Sequence, residues 1–232
     1  MTRSSEGGRR LTLALAGLIA LAAMIAVLAV SGAGEGHADT EHGHGHAAAP
    51  AATTTRQAAF HDAMRKLWED HITWTRLAIV SFAGDLPDLP ATEQRLLRNQ
   101  TDIGDAIKPF YGKAAGDRLT KLLKAHITGA VDLLAAAKSG TPTDLAHAKA
   151  AWYANGRQVA DFLHGANPQH WGRADMRSMM KTHLDQTLAE GVDQLQGKYA
   201  AGVREYDAVH VHILEMADEL ASGIAAQFPD RF

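Results

Sequence analysis

The sequence predicts an all-α protein: an antiparallel bundle of about six helices with an internal helical-hairpin repeat. Three observations predict it. Apolar residues recur at helical spacing through most of the chain beyond residue 55, strand-like alternation is scarce, and Ala and Leu dominate while proline is limited to seven residues. The first fifty-five of the 232 residues read as export and linker segments, which leaves about 175 for a single folded domain.

Residues 1–33 read as a signal peptide or signal anchor. Arg3, Arg9 and Arg10 precede an apolar stretch from Leu11 to Val30 whose only hydroxyl is Thr12. That stretch is longer than the core of a typical cleaved signal and about long enough to cross a bilayer. Small residues at Ser31 and Ala33, or at Gly36 and Ala38, nevertheless suit a peptidase. The arginines before the stretch, and Glu35, Asp39 and Glu41 after it, place the bulk of the chain outside the cytoplasm. The expected location is therefore extracytoplasmic, with the chain held in the membrane through residues 11–30 or secreted after cleavage.

Residues 34–55 form a His- and Ala-rich linker with no apolar periodicity, expected to be disordered. His37, His42, His44 and His46 make it either a loose metal-binding tract or a polar spacer, since neutral imidazoles bind Zn, Cu and Ni.

The helical-bundle domain is expected over 56–232. Its first helix runs from Arg56 to Ala83, carries Phe60, Met64, Leu67, His71, Trp74, Ala78 and Phe82 along one stripe, and ends at Gly84. A second helix starts at Thr92 as N-cap and stops at Lys108, before Pro109 and Gly112. The third spans Asp117 to Lys138 with His126 in its stripe, and the fourth spans Thr143 to His164. A fifth, from Ala174 to Leu195, carries Met176, Met180, His183 and Thr187 along one side. The last, from Ala201 to Gln227, has the stripe Val203, Tyr206, His210, Ile213, Ala217, Leu220 and Ile224, with His212 on the wet face beside Glu215 and Glu219.

Laid over one another, the second and third helices match the fourth and fifth. Asn99, Ile103, Gly104 and Ile107 align with Asn155, Val159, Ala160 and Leu163, and the segment Leu122–Ile127 aligns with Met179–Leu184. The match suggests two helical hairpins related by a pseudo-two-fold, with the outermost helices packed beside them. It also makes His126 and His183 equivalent.

Inward side chains on facing helices are how bundles build metal sites. His71, His126, His183 and His210, one per long helix, are the candidate ligands, suited to Zn or Cu, with Asp102 and Asp207 as further ligands or outer partners. Asp207 stands three residues before His210, on the same helical face. Taken singly, each histidine also reads as a hydrogen-bonded core residue. Trp68, Trp74, Trp152 and Trp171 read as packing, and Met179 and Met180, aligned with leucines, as core filler. Arg76 should meet a carboxylate inside the bundle, and Asn99 and Asn155 should hydrogen-bond across helices.

The remaining composition narrows the function classes. Net charge of −3 and no basic stripe argue against nucleic acid. The chain has no cysteine, hence no disulfide and no thiolate chemistry. No Glu-x-x-His pair suits a di-iron site, no Cys-x-x-Cys-His attaches haem, and no nucleophile elbow or phosphate loop appears.

The segments Leu67–Arg76, Leu97–Gly104, Leu122–Ile127, Trp152–Asn155 and Tyr206–Asp218 together resemble a family of small, exported, uncharacterised bacterial all-helical proteins. The resemblance covers Leu67 to Phe232, implies an extracytoplasmic helical domain and supplies no catalytic residue. Some members bear kinase or glycosyltransferase labels, for which this chain has no machinery. The leading expectation is a bundle that stores, handles or senses a transition metal. A non-catalytic module docking an envelope protein or a second copy of itself is the alternative, and a metal-dependent enzyme comes third.

Overall fold

The computed structural model describes residues 54–232, within a compact unit that spans Pro50–Phe232. The export stretch and the linker histidines His37, His42, His44 and His46 lie outside the described residues. Six helices follow in order: α1 (Thr55–Ala83), α2 (Leu89–Tyr111), α3 (Lys113–Ser139), α4 (Pro142–Ala166), α5 (Arg173–Leu195) and α6 (Tyr199–Gln227), closed by a 3-10 turn at Pro229–Arg231. Among the described residues there is no strand, and no helix is long and apolar enough to cross a membrane.

Each helix packs on its chain neighbours, and α6 returns to α1, so the six close a ring. Short connections force alternate directions around it. Consequently α1, α3 and α5 point the same way, and α5 touches both α1 and α3 across the middle.

The expected element boundaries hold to within two residues except for α2 and the start of α3, which lies at Lys113 rather than Asp117. Asp88 caps α2, Pro90 sits in its first turn, and Thr92 lies inside the helix with its hydroxyl donating to the Asp88 carbonyl at 3.1 Å. Pro109 does not end it. Proline removes one bond near the terminus, but Phe110 and Tyr111 are held by stacking on Phe60, Phe228 and Trp171, so the helix continues to Gly112. Gly112 at φ 83° then reverses the chain in one residue, and α3 starts at once.

The repeat registers are as the sequence indicates, but the symmetry is three-fold rather than two-fold. The repeating hairpins are α1–α2, α3–α4 and α5–α6. Seven residues before the inner histidine stand Met64, Leu119 and Met176; three before it stand Trp68, Leu123 and Met180; one after it stand Ile72, Ile127 and Leu184. All nine are buried. In the outer helices the Asn99 pattern recurs a third time as His212, Met216, Ala217 and Leu220, and the fourth residue after each Asn or His position, Ile103, Val159 and Met216, is buried. Two successive helical faces, repeated three times, thus supply one continuous apolar core.

The three seams between hairpins differ. At α2–α3 the backbones touch: a Cβ on Gly104 would lie 2.7 Å from the Gly116 carbonyl, and one on Gly116 would lie 2.5 Å from that of Gly104. The α4–α5 seam is bridged by the paired Arg177–Asp161 bonds of 2.8 Å. Arg65 and His61 both engage Asp218 across α1–α6, at 2.6 and 2.9 Å. Beside that last seam the Thr54 hydroxyl donates to the Phe232 carbonyl at 3.1 Å, tying the two ends of the ring together.

Candidate metal centre

His71, His126 and His183 stand at the same position of the three inner helices and meet at the middle of the ring. Each is at most 3 % exposed. The His71 and His183 ring centroids are 5.8 Å apart, and those of His126 and His183 are 6.0 Å apart. Trp68 meets His71 edge-on, and Trp152 stacks on His126 at 5.1 Å while its Nε1 donates to the His126 carbonyl. The tryptophans therefore wall the centre as packing residues.

His210 is not part of it. Its helix is an outer one whose inward face is Val209, Ile213, Met216 and Leu220, which leaves His210 on the flank, 30 % exposed, against Tyr206 and Glu69. Asp207 is exposed on the same helix, and Asp102 is half-buried on α2. The side-chain hydrogen bonds of the buried rings go to Gln100 and Asn155, not to either aspartate.

What holds the rings in place follows the three-fold repeat. The Asn99 side chain donates to the Leu67 carbonyl at 2.9 Å, and Asn155 to the Leu122 carbonyl at 3.1 Å. In the third hairpin the equivalent donor is the His212 Nε2–H, bonded to the Met179 carbonyl at 2.9 Å. Each accepting carbonyl lies four residues before the buried histidine of its hairpin. His212 is thus a packing donor, 14 % exposed, rather than a residue of the wet face.

The oxygen of each asparagine does a second job. Asn155 Oδ1 accepts from His126 Nδ1 at 3.0 Å, which places the proton on Nδ1 and the lone pair on Nε2. Asn99 Oδ1 accepts from Gln100 Nε2, which in turn donates to His71 Nδ1 at 3.2 Å. His212 has no such oxygen. His183 Nδ1 is accordingly buried without a partner.

Removal from water keeps all three rings neutral. Burial, reinforced by the neighbouring His126, pushes His71 down to about 3 against the pull of Gln100. Burial takes His126 to about 4, opposed by Asn155. His183 is driven well below the usual imidazole range by burial and then by His71, His126 and His212. Neutral imidazole is the ligating form.

Three imidazoles sharing one ion at about 2.0–2.1 Å would hold their centroids roughly 5–5.5 Å apart, a little closer than the separations here. Among the described residues no group of three or more His, Asp or Glu side chains is gathered as a coordination shell. The rings are neighbours whose nitrogens do not yet converge.

A second buried polar cluster, missed from the sequence, lies further along α1 and α5. Arg76 meets Glu190 at 3.1 Å and Gln194 at 3.4 Å, which supplies the carboxylate expected for that arginine. Glu190 is fully buried, and its carboxyl is pushed up to about 7 by burial and Glu205 against the opposing Arg76. No periodicity rule singles out Glu190, because a glutamate among Ala and Gly on a helix reads as surface. A third copy of the repeat, beginning at Leu67-Trp68-Glu69-Asp70-His71, sets His212 at the Asn99 and Asn155 position, whereas Gln100 stands where the other copies have Gly156 and Ile213.

Comparison of the chain with family models, with curated proteins and with solved structures returns no match in any of the three.

Proposed function

We propose that this protein binds one transition-metal ion, zinc or copper, at the junction of His71, His126 and His183, and stores, handles or senses it outside the cytoplasm. The observation that carries the reading is the arrangement of three buried neutral imidazoles, one from each inner helix, centred on His183 with its Nδ1 unpartnered. Amide oxygens that orient ligating rings are the usual outer support of such sites, and Asn155 supplies one to His126. Binding through His71 Nε2 asks Gln100 to present Oε1 in place of Nε2, which gives up its bonds to the Leu96 carbonyl and Asn99 Oδ1 for one from the His71 Nδ1–H. A chain without cysteine has imidazole, thioether and carboxylate as its remaining ligands.

The test uses the full, tag-free chain with His37, His42, His44 and His46 replaced by serine, which removes competition from the linker. One zinc or copper per chain should survive dialysis, and His126→Ala combined with His183→Ala should abolish it. At a free ion concentration a thousand times Kd, binding stabilises the fold by about 4 kcal/mol. A chain that retains no metal and melts at the same temperature with and without added zinc or copper would overturn the reading. In that case the Gln100–His71 and Asn155–His126 bonds favour the second one, a module whose histidines lock three hairpins together around a docking surface.

A further inference from the structure

Eight buried side-chain polar atoms lack a partner among the described residues, and four of the eight lie on α5: His183 Nδ1, Gln186 Oε1, Thr187 Oγ1 and Glu190 Oε2. Their spacing of i, i+3, i+4 and i+7 makes one helical face two turns long. The other four are scattered over α1, α2 and the turn after α4. Buried polar atoms are normally satisfied, so a file of bare ones along a single face calls for something to satisfy them.

Three of the four are oxygens, and the fourth is a ring nitrogen of the triad. Acceptors in a row suit a guest that brings positive charge. One end of the file is His183, at the middle of the ring. The other end is Glu190, whose Oε1 is held by Arg76 while Oε2 is bare. Arg76 is 18 % exposed where Glu190 is wholly buried, so the guanidinium stands at the outer end, beneath the Tyr206 ring at 5.8 Å. A cavity of about 30 Å³ borders Thr187 together with Thr75 and Ala130, the residues one turn beyond the three histidines. The rest of its lining is apolar, from Ile79, Leu133, Leu134, Trp152 and Leu188.

We infer that Glu190, with Gln186 and Thr187, forms a staging site through which a transition-metal cation passes from the Arg76 end to His183. The inference rests on the metal-binding reading of the triad. Arg76 fills the position as a resident cation and swings aside when the ion arrives; Glu190 then takes the ion on Oε2, and the amide and hydroxyl oxygens replace part of its hydration as it moves one helical turn at a time. No bond is made or broken beyond coordination.

The experiment follows cobalt(II) loading of the full chain, in the linker-serine background, by its visible absorption, and zinc release to a chromophoric chelator. Glu190→Gln should leave the final stoichiometry and spectrum unchanged while slowing both loading and release by roughly tenfold, the loss of one charge-assisted contact on the path. Thr187→Val, close to isosteric, should slow both by a smaller factor, and Arg76→Gln should speed loading. Circular dichroism establishes that each variant is folded. If folded Glu190→Gln and Thr187→Val both exchange ions at the parent rate, the file serves water alone and the inference falls while the metal centre stands. If the parent chain takes up neither ion, both fall together.

Discussion

The hairpins α3–α4 and α5–α6 carry the same histidine at the same depth and hold it differently. In the first, one asparagine does two things at once, bonding the Leu122 carbonyl through its nitrogen and His126 through its oxygen. In the second, His212 keeps the bond to the Met179 carbonyl and lacks the oxygen. His126 is consequently fixed in tautomer and orientation, while His183 packs in place with a bare nitrogen. The difference teaches that a repeat can conserve its scaffold bond and release a functional group by changing one residue of the outer helix.

Acid should have the largest effect, through the buried rings of the first two hairpins. His71 and His126 have folded pKa values near 3 and 4 against 6.5 unfolded, so the unfolded chain binds more protons between those limits. Stability is then complete above about pH 6.5 and declines as pH falls; at pH 5 each ring accounts for about 2 kcal/mol, roughly 4 kcal/mol for the pair. Glu190 acts with the opposite sign, because its raised pKa lets the folded state hold the extra proton between 4.5 and about 7. Denaturant melts of the metal-free chain at pH 7 and pH 5 read the net effect. Added zinc at pH 7 should widen the gap between the two.

Next in size is Asn155→Leu, which strips two bonds from the fixed hairpin and leaves the buried His126 Nδ1–H without an acceptor, costing about 2–3 kcal/mol. A loss under about 0.5 kcal/mol in urea melts would mean that His126 is held by Trp152 stacking alone.

The reciprocal change, His212→Asn, should make the third hairpin resemble the second. It adds an oxygen for His183 Nδ1, which should stabilise the metal-free fold by about 1 kcal/mol and slow metal uptake as the ring loses its freedom. Unchanged melting with faster uptake would break the comparison. The smallest effect belongs to His210→Ala, which should keep metal stoichiometry intact and shift stability by no more than about 0.5 kcal/mol.

The reading of His210 shows where the sequence stops being legible. On α1, α3 and α5 the histidine lies mid-stripe with buried neighbours three before and one after, and the periodicity identified it correctly. On α6 the buried residues Val209, Ile213, Met216, Ala217, Leu220, Ala221 and Ile224 spread over roughly 140° of the helix at about 100° per residue, and His210 falls toward one edge of that arc. A stripe that wide has no sharp phase, so a residue at its rim passes for one at its centre. The bundle itself, its helix order and the cross-helix role of Asn99 and Asn155 were all readable, because those depend on period and on composition. Which helices lie inside was not, since inner and outer helices differ in what they face rather than in how often apolar residues recur. The identity of the unit followed the same limit: overlaying α2–α3 on α4–α5 finds the correct register but cuts each hairpin at its wrong end.

The bond from the Thr54 hydroxyl to the Phe232 carbonyl, with Phe232 against Phe60 and Phe110, makes the start and finish of the ring neighbours. Where a chain begins is then a matter of convenience rather than architecture. A short linker joining Phe232 to Thr54, with a new opening at the solvent-exposed turn Gly140–Thr141, would put the same three histidines on the same three helices in a different order along the chain.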